Sequence, residues 1–183
     1  MTARVIITAE NPLLRQRSKK VTQFGPGLDQ LVQDLWDTLH AAGGAGLAAP
    51  QIGVLQRVIV VEVAAEYDED GKELSPLRRY TIVNPEIVKL RGEEEMSEGC
   101  LSIPGYRGIV RRATEAVIKG QDMHGKPLRY HGEDLAAQAF QHETDHLNGI
   151  LYLDLLVSPD KLWATQPGTE EDEEPAEESA QDG

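Results

Sequence analysis

Apolar residues recur at helical spacing in two stretches of the chain. From Leu28 to Ala42 they fall on one face, and Gly43-Gly44 follows as a stop signal. A second stretch runs from about Glu133 to Leu147, where Asn148-Gly149 can adopt the left-handed conformation that ends a helix. The pattern predicts one helix early in the chain and another near its end.

Between these helices the chain changes to runs of β-branched and apolar residues separated by turn signals. Strands are predicted at Arg57–Val63, Tyr80–Val83, Glu86–Leu90, Gly108–Arg112, Glu115–Lys119 and Leu128–Tyr130. Asp68–Gly71 supplies a polar hairpin tip, and His124-Gly125 a turn. Helix, strands and then helix is an α+β order, because βαβ alternation is absent.

Charge divides the chain into a mildly acidic body and a strongly acidic end. The formal net charge is -13, but residues 170–183 hold eight acids and no Lys or Arg, which leaves 23 acids against 18 bases before them. The composition of this end cannot bury enough apolar surface to offset the entropy of ordering. We predict a single domain over residues 1–157 and an acidic, disordered tail over residues 158–183.

The chain shows no signal for export or for a membrane. No stretch of about 18 apolar residues is present, and Met1–Glu10 lacks the basic start and apolar centre of a secretory signal. The sequence predicts a cytoplasmic protein with no membrane partner, and its acidity argues against direct binding of nucleic acid.

The segment Gln141-His-Glu-Thr-Asp-His146 lies inside the second predicted helix. His142 and His146 are four residues apart and share one face, with Glu143 beside them. Two imidazoles can then meet one metal ion, while a carboxylate next to the ion can serve as a base. A solvated helix face rich in His and acids is the alternative interpretation.

A catalytic ion usually has three protein ligands, so a third must come from elsewhere. Cys100, the single cysteine, lies in Glu98-Gly-Cys-Leu-Ser102, after an acidic run and before the Pro104-Gly105 turn signal. That context is typical of an exposed functional loop, although a lone cysteine can also be a buried structural residue.

A third segment, Gly44-Ala-Gly-Leu-Ala-Ala-Pro-Gln51, lies between a helix and a strand. Its small residues let the backbone approach another group closely, and it lacks the Lys-Ser/Thr of a phosphate loop. Gln51 is its only side chain suited to polarising a carbonyl. A tight, well-packed turn is the simpler interpretation of this segment alone.

Together the three segments GxGLAAPQ, EGCLS and QHExDHLxG resemble, in this order, the three motifs of the peptide deformylases. The resemblance extends from about Val5 to Leu155 and includes Asn11–Arg15. It implies an α+β fold of mixed or antiparallel sheets packed around a central HExxH helix. It also implies removal of formyl from the N-terminal methionine of new chains.

The resemblance also assigns site residues. It implies Cys100, His142 and His146 as metal ligands and Glu143 as the catalytic acid/base. The other implied catalytic-site residues are Gln51 and the Leu101 backbone N–H, as oxyanion donors, and Gly46. The implied cofactor is one divalent ion, with Fe(II) first and Zn(II), Ni(II) or Co(II) as ions that a mixed Cys/His site also accepts.

Further positions follow from the same resemblance. The methionine side chain is expected to meet Ala45, Met96, Glu98, Leu135 and Ala139. Ala45 and Ala139 are smaller than the residues often found there, so the pocket is expected to be wider. Glu98, Asp145, Arg107 and Arg112 are the charged residues near the motifs and are expected to orient the ligands from outside. The helical position of Asp145 points it away from the ion, and the resemblance implies that it pairs with Arg112.

The expected partners are formyl-methionyl nascent peptides. Some bacterial deformylases continue into a basic helix thought to dock on the ribosome, whereas this chain offers Ser158-Pro159, a short Lys161–Trp163 segment and acids. Docking on the ribosome through such a helix is therefore not expected, although ribosome proximity stays open and nascent chains remain the expected substrate. Oligomeric state is left open.

Two other functions fit parts of the sequence. A zinc endopeptidase also uses HExxH, but its third ligand is normally a His or Glu on the C-terminal side, and the only candidates there are Asp154, Asp160 and the acids of the tail. A catalytically silent, metal-bound interaction module would have no chemical need for Glu143, Gln51 and Cys100 together. The combined motifs favour the deformylase.

Overall fold

The computed structural model describes residues 3–165. It contains two α-helices, α1 (Pro26–Ala42) and α2 (Asp134–Leu147). The strands are β1 (Gly46–Ala48), β2 (Val58–Val63), β3 (Glu66–Tyr67), β4 (Glu73–Ser75), β5 (Arg78–Arg91), β6 (Glu94–Cys100), β7 (Ile103–Arg112), β8 (Glu115–Gln121), β9 (Pro127–Glu133) and β10 (Leu162–Ala164). Short 3-10 helices lie at Pro12–Arg15, Ala49–Ile52, Tyr152–Leu155 and Pro159–Lys161.

The strands form antiparallel sheets. Five of them make one sheet in the order β1-β2-β5-β8-β9, three make a second in the order β10-β7-β6, and β3 pairs with β4. Every pair of named strands in residues 3–165 is antiparallel, and the parallel contact seen there is an isolated bridge between Lys19 and Gln56. The predicted α+β class with antiparallel sheets is confirmed.

The larger sheet is covered on both faces, which explains why β2 reads as an almost continuous apolar run. Ile59 and Val61 belong to the core cluster beneath α2, while Val58 and Val60 belong to the cluster beneath α1. Successive strand residues point to opposite faces, so one short strand supports both helices. Helix α2 is thereby fixed against this sheet along its apolar face.

The predicted helices are confirmed to within a few residues, and each predicted strand overlaps an observed one. The strands predicted at 80–83 and 86–90 are parts of one strand, β5, which changes register near Asn84, a residue with φ of 52°. Strands β1 and β6 had no strand prediction. The acidic β6 carries little apolar pattern because it is stabilised by pairing with β7, where Glu95 lies opposite Arg111.

The chain after Val157 contributes structure to the smaller sheet. Strand β10 pairs with β7, and the backbone N–H of Thr165 donates to the Gly105 carbonyl at 2.9 Å. This segment is a short 3-10 turn and a strand rather than a basic helix. Disorder was predicted over residues 158–183; of these, residues 158–165 contain this turn and strand, paired with β7, and residues 166–183 lie outside the described residues. Among residues 3–165, no helix is long and apolar enough to cross a membrane.

Candidate metal centre

Three side chains from two elements converge next to a cavity. Cys100 ends β6, and α2 presents His142 and His146 one turn apart on one face. The Cys100 Sγ lies 3.3 Å from the His146 Nε2, which lies 3.2 Å from the His142 Nε2. The three candidate ligand atoms all lie within 4.8 Å of one another. The predicted ligand set is therefore brought together by the fold.

The donor set fits a transition metal. The two imidazole Nε2 atoms lie 3.2 Å apart, so two protons or two lone pairs facing each other there would repel. This arrangement therefore needs one proton or one cation between them. A thiolate and two imidazoles are ligands that Zn(II) and Fe(II) accept, and three protein ligands leave room for a reacting molecule. His146 is 1% exposed and the His142 side chain 11%, so the set is largely shielded from water.

A buried carboxylate orients one of these ligands. The His142 Nδ1 donates to the Glu98 Oε2 at 2.8 Å, which fixes the ring and leaves its Nε2 lone pair facing Cys100 and His146. Burial would raise the pKa of Glu98, but hydrogen bonds from His142 and Arg112 lower it to about 2. Glu98 is therefore ionised whenever the protein is folded near neutral pH.

Arg112 joins this carboxylate to a second one. Its Nε and Nη2 donate to the two Glu98 oxygens at 2.7 and 3.0 Å, and its Nη1 donates to the Asp145 Oδ2 at 2.7 Å. Burial tends to lower the pKa of Arg112, yet the two carboxylates raise it above its ordinary value. The structure thus places the predicted Asp145–Arg112 pair together. Arg107 instead donates to the Ser97 side chain at 2.9 Å and lines the cavity.

Glu143 lies on the cavity wall beside the ligand set and is 4% exposed. Burial raises its pKa to about 7, and the nearby negative charges of Glu98 and Asp145 add to the effect. Among residues 3–165, its Oε2 has no hydrogen-bond partner. A carboxyl group that titrates near neutral pH and holds an unused oxygen can accept and return a proton.

The first motif packs against this carboxylate. A Cβ added at Gly46 would lie 2.9 Å from the carboxyl carbon of Glu143, so only glycine lets β1 approach this closely. The Gln51 Oε1 accepts from the Ala48 N–H at 2.8 Å, and its Nε2 donates to the Ser102 Oγ at 3.1 Å. Its Nε2 also lies 3.6 Å from the Cys100 Sγ. Gln51 is therefore held at the site with its amide orientation fixed.

The cavity beside these groups has a volume of about 570 Å³. Of the residues predicted to meet a substrate side chain, four line it: Ala45, Glu98, Leu135 and Ala139. Leu101 also lines it, and Leu135, 46% exposed, stands at its rim. Met96 lies on β6 opposite Val110 and is not among the lining residues of the described chain.

Sequence reasoning missed several polar residues of the site. Gln138 and Ser97 line the cavity, and Gln141 is buried with hydrogen bonds to both backbone groups of Ala113. Gln138 lies one helical turn before His142, which is the signal that could have identified it. Ser97 has no comparable signal, because its position depends on how β6 and β7 pair.

The chain is similar to known deformylases over nearly all of its length. The family model for polypeptide deformylase matches residues 3–162. The peptide deformylase of Thermomicrobium roseum is 47% identical over 154 residues, which cover 84% of this chain and 86% of that protein. That of Dehalococcoides mccartyi strain CBDB1 is 44% identical over 174 residues, which cover 95% and 98%.

Solved structures agree with these matches. A peptide deformylase from Legionella pneumophila aligns with a TM-score of 0.76 at 43% identity, covering 87% of this chain and 89% of that one. A Met-Ala-Ser-bound peptide deformylase from Acinetobacter baumannii aligns with a TM-score of 0.76 at 29% identity, covering 85% and 99%. The likeness therefore includes the fold as well as the sequence.

Proposed function

Because the chain belongs to the polypeptide deformylase family, we propose that it hydrolyses the N-formyl group of new polypeptides through the residues around the cavity. The observation that carries this proposal is the convergence of Cys100, His142 and His146 beside Glu143. Cys100, His142 and Glu143 line one cavity. A protein made in the cytoplasm would meet formyl-methionyl chains there. These peptides are the proposed substrate.

We assign Cys100, His142 and His146 as the ligands of one divalent ion, with Fe(II) as the native ion and Zn(II), Ni(II) or Co(II) as replacements. Such an ion would supply Lewis acidity that makes water a nucleophile near neutral pH. Helix α2 would then be the central metal-binding helix, because it packs on the larger sheet and faces Cys100 of the smaller one.

Glu143 is assigned as the general base and acid. Its pKa of about 7 lets it take a proton from the attacking water and later deliver it to the departing amine nitrogen. Gly46 supports this role by leaving room for the carboxyl group between β1 and the ligand set. Burial keeps bulk water from competing for the proton.

Gln51 and the Leu101 backbone N–H are assigned to stabilise the formyl oxygen as it becomes anionic. Gln51 is 1% exposed and its amide is already oriented by Ala48 and Ser102, so its Nε2 needs little reorganisation. Removing one donor of this kind typically lowers the rate on the order of 100-fold or more.

The methionine side chain is assigned to the cavity wall formed by Ala45, Leu135 and Ala139. Glu98 and Arg107 also line this cavity, and we propose that Glu98 contributes to it through its hold on His142. Two alanines in the wall favour a pocket that accepts side chains larger than methionine.

We place the end of the catalytic domain after β10 rather than at residue 157. Strand β10 extends the smaller sheet, and Thr165 lines the cavity. The acidic sequence at 170–183 is then the tail, and we propose that it is not needed for catalysis. Loss of turnover after truncation at residue 165 would contradict this assignment.

The first test is anaerobic release of formate from formyl-Met-Ala-Ser by the ferrous protein. Acetyl-Met-Ala-Ser and an unmodified internal peptide serve as controls. Formate from the formyl peptide alone supports the proposal, whereas cleavage of the internal peptide would indicate an endopeptidase. No reaction by a protein with its full complement of metal would refute a deformylase.

Two variants test the assigned roles. Glu143→Ala is expected to retain the metal and lose turnover by about 100-fold or more, since the proton relay is removed. Cys100→Ala is expected to lose most of the metal, because only two ligands remain. Metal content and formate release are measured on the same samples. Full hydrolysis by Glu143→Ala would show that the proposed mechanism is wrong.

A further inference from the structure

Gln138 reaches from α2 to β6 beside the ligand set. It lies four residues before His142, so the two side chains share a face of the helix. The Gln138 Nε2 donates to the Ser97 carbonyl at 3.0 Å and, over a longer distance of 3.4 Å, to the Glu98 Oε1. His142 donates to the other oxygen, Oε2, of Glu98. Two adjacent turns of α2 therefore hold both oxygens of one carboxylate.

The hydrogen-bonding capacity of this carboxylate is filled. Arg112 donates once to each Glu98 oxygen, and Gln138 and His142 supply one further donor each. An ionised carboxylate offers about four lone-pair sites, so none remains unused. Gln138 is an uncharged donor. Gln138 restrains the Glu98 carboxylate without adding a charge to the buried Arg112–Glu98 pair.

Strand β6 needs such a restraint because it is an edge strand. In the order β10-β7-β6, its backbone is paired with another strand on one side only. The bond from Gln138 to the Ser97 carbonyl ties this strand to α2 just before Glu98 and Cys100. The strand carrying one candidate ligand is thus attached directly to the helix carrying the other two.

We propose that Gln138 is a positioning residue for the metal-binding set. It holds Ser97 and Glu98 of β6 against α2, so that Cys100 and His142 keep the spacing that one ion requires. The inference rests on the proposed metal site and adds a residue that contacts neither the ion nor the reacting atoms. Residues that orient ligands in this way typically change metal affinity or activity by about 10- to 100-fold.

The test is Gln138→Met in the full chain, which keeps side-chain length and removes the donor. Release of Zn(II) from the loaded protein to excess chelator is expected to be about 10-fold faster than in wild type. The visible absorption spectrum of the Co(II) form is expected to change, because it reports ligand geometry. With formyl-Met-Ala-Ser, kcat should fall while KM changes little.

Gln33→Met is the matched control. Gln33 Nε2 donates to the Asp37 Oδ1 at 2.8 Å across one turn of α1, so the substitution removes a similar bond far from the cavity. It should leave Zn(II) release and the Co(II) spectrum unchanged. Gln138→Asn keeps an amide but is one methylene too short to span the gap. Gln138→Asn should also release Zn(II) faster than wild type does. If Gln138→Met does not fold, Gln138→Asn tests the inference in its place.

The outcomes separate this inference from the proposed function. If wild type binds Zn(II) and releases formate, and both Gln138 variants match it in metal release and Co(II) spectrum, Gln138 is only a structural tie and the inference fails alone. If wild type holds no metal, the proposed metal site fails and the inference fails with it. If wild type holds Zn(II) but releases no formate, the deformylase assignment fails alone, and Zn(II) release and the Co(II) spectra of the Gln138 variants still decide the inference.

Discussion

Helix α2 contacts the larger sheet through apolar side chains and the smaller sheet through polar ones. We call the first contact the apolar interface; it includes Ala136, Ala137, Phe140 and Leu147 of α2 with Ile59, Val61, Ile82 and Ile118 of the sheet. We call the second the polar junction; it comprises Glu98, Arg112, Gln138, His142 and Asp145. One helix is thus held on its two faces by different forces.

The two contacts differ in what they determine. Apolar contacts are non-directional, so the apolar interface fixes where α2 lies with some tolerance to changes of shape. Hydrogen bonds and ion pairs are directional, so the polar junction fixes how His142 is turned and where β6 lies. A substitution in the first should lower stability, whereas one in the second should alter the site as well.

Arg112→Met should have the largest effect, because it leaves the buried Glu98 and the partly buried Asp145 without their cation. The expected loss is about 3–5 kcal/mol in the free energy of unfolding, as for other buried pairs that lose one partner. Denaturant unfolding of the metal-free protein measures it. Formate release per folded molecule should also fall, because Glu98 no longer holds His142 in place.

If Arg112→Met changed the free energy of unfolding by less than about 1 kcal/mol, the polar junction would stabilise the protein no more than an exposed ion pair does. Arg111→Met provides the comparison. Arg111 pairs with Glu95 on the next strand, but both side chains are at least half exposed. That variant should be close to wild type in both stability and turnover.

Ile118→Ala tests the apolar interface. Ile118 is fully buried on β8 and packs beneath α2, so its truncation should cost about 3 kcal/mol by lost burial and a residual cavity. Formate release per folded molecule should remain within about twofold of wild type, since additivity holds for distant sites. Ile118→Val should cost only about 1 kcal/mol. A large loss of turnover at full folding would show that the interfaces are not separable.

The apolar packing of the helices on the larger sheet was predictable from the sequence because periodicity records it. Leu28, Leu31 and Leu35 recur at helical spacing and are all buried on α1. The run at β2 likewise predicted a strand, since alternating residues serve two cores. Local patterns suffice wherever burial alone decides the structure.

The polar junction was only partly predictable. The ligand pair His142 and His146 followed from helical spacing, and the three motifs implied Cys100 by resemblance. Gln138 and the Ser97 carbonyl did not, because their contact depends on how an edge strand meets a helix 41 residues away. No local period records such a contact. The predicted role of Met96 remains a prediction, and the cavity lining points instead to its neighbours on β6.

Gly46→Ala sharpens the comparison by changing the site through the backbone of β1. The new Cβ would press on the Glu143 carboxyl group, which must shift. Misplacing a catalytic group by about 1 Å can cost 100-fold, so kcat should fall by about that factor. Stability should change by about 1 kcal/mol or less, and metal content should stay the same. If Gly46→Ala kept the wild-type kcat, Glu143 would not need its observed position for catalysis.

The smallest effect is expected from breaking the Arg4–Asp34 ion pair. It joins an arginine to a carboxylate, as Arg112–Glu98 does, but one of its partners is exposed. Arg4 Nη2 lies 2.7 Å from the Asp34 Oδ2, with side chains 56% and 5% exposed. The hydrogen bond from Gln30 lowers the pKa of Asp34 below 3.8; burial opposes this shift, and Arg4 adds to it. Asp34→Asn should therefore cost only about 1 kcal/mol at pH 7.

The effect of pH on the stability difference between wild type and Asp34→Asn follows from the direction of the Asp34 pKa shift. Because the pKa of Asp34 is lower in the folded protein, its stabilising effect is fully present above about pH 4 and disappears as the pH falls through the folded value. Unfolding of wild type and Asp34→Asn at a series of pH values should therefore converge in acid. A difference that persists in acid strong enough to protonate Asp34 in the folded protein would mean that packing, not charge, accounts for Asp34. The Arg4–Asp34 pair would then differ from the polar junction in the type of interaction as well as in its contribution to stability.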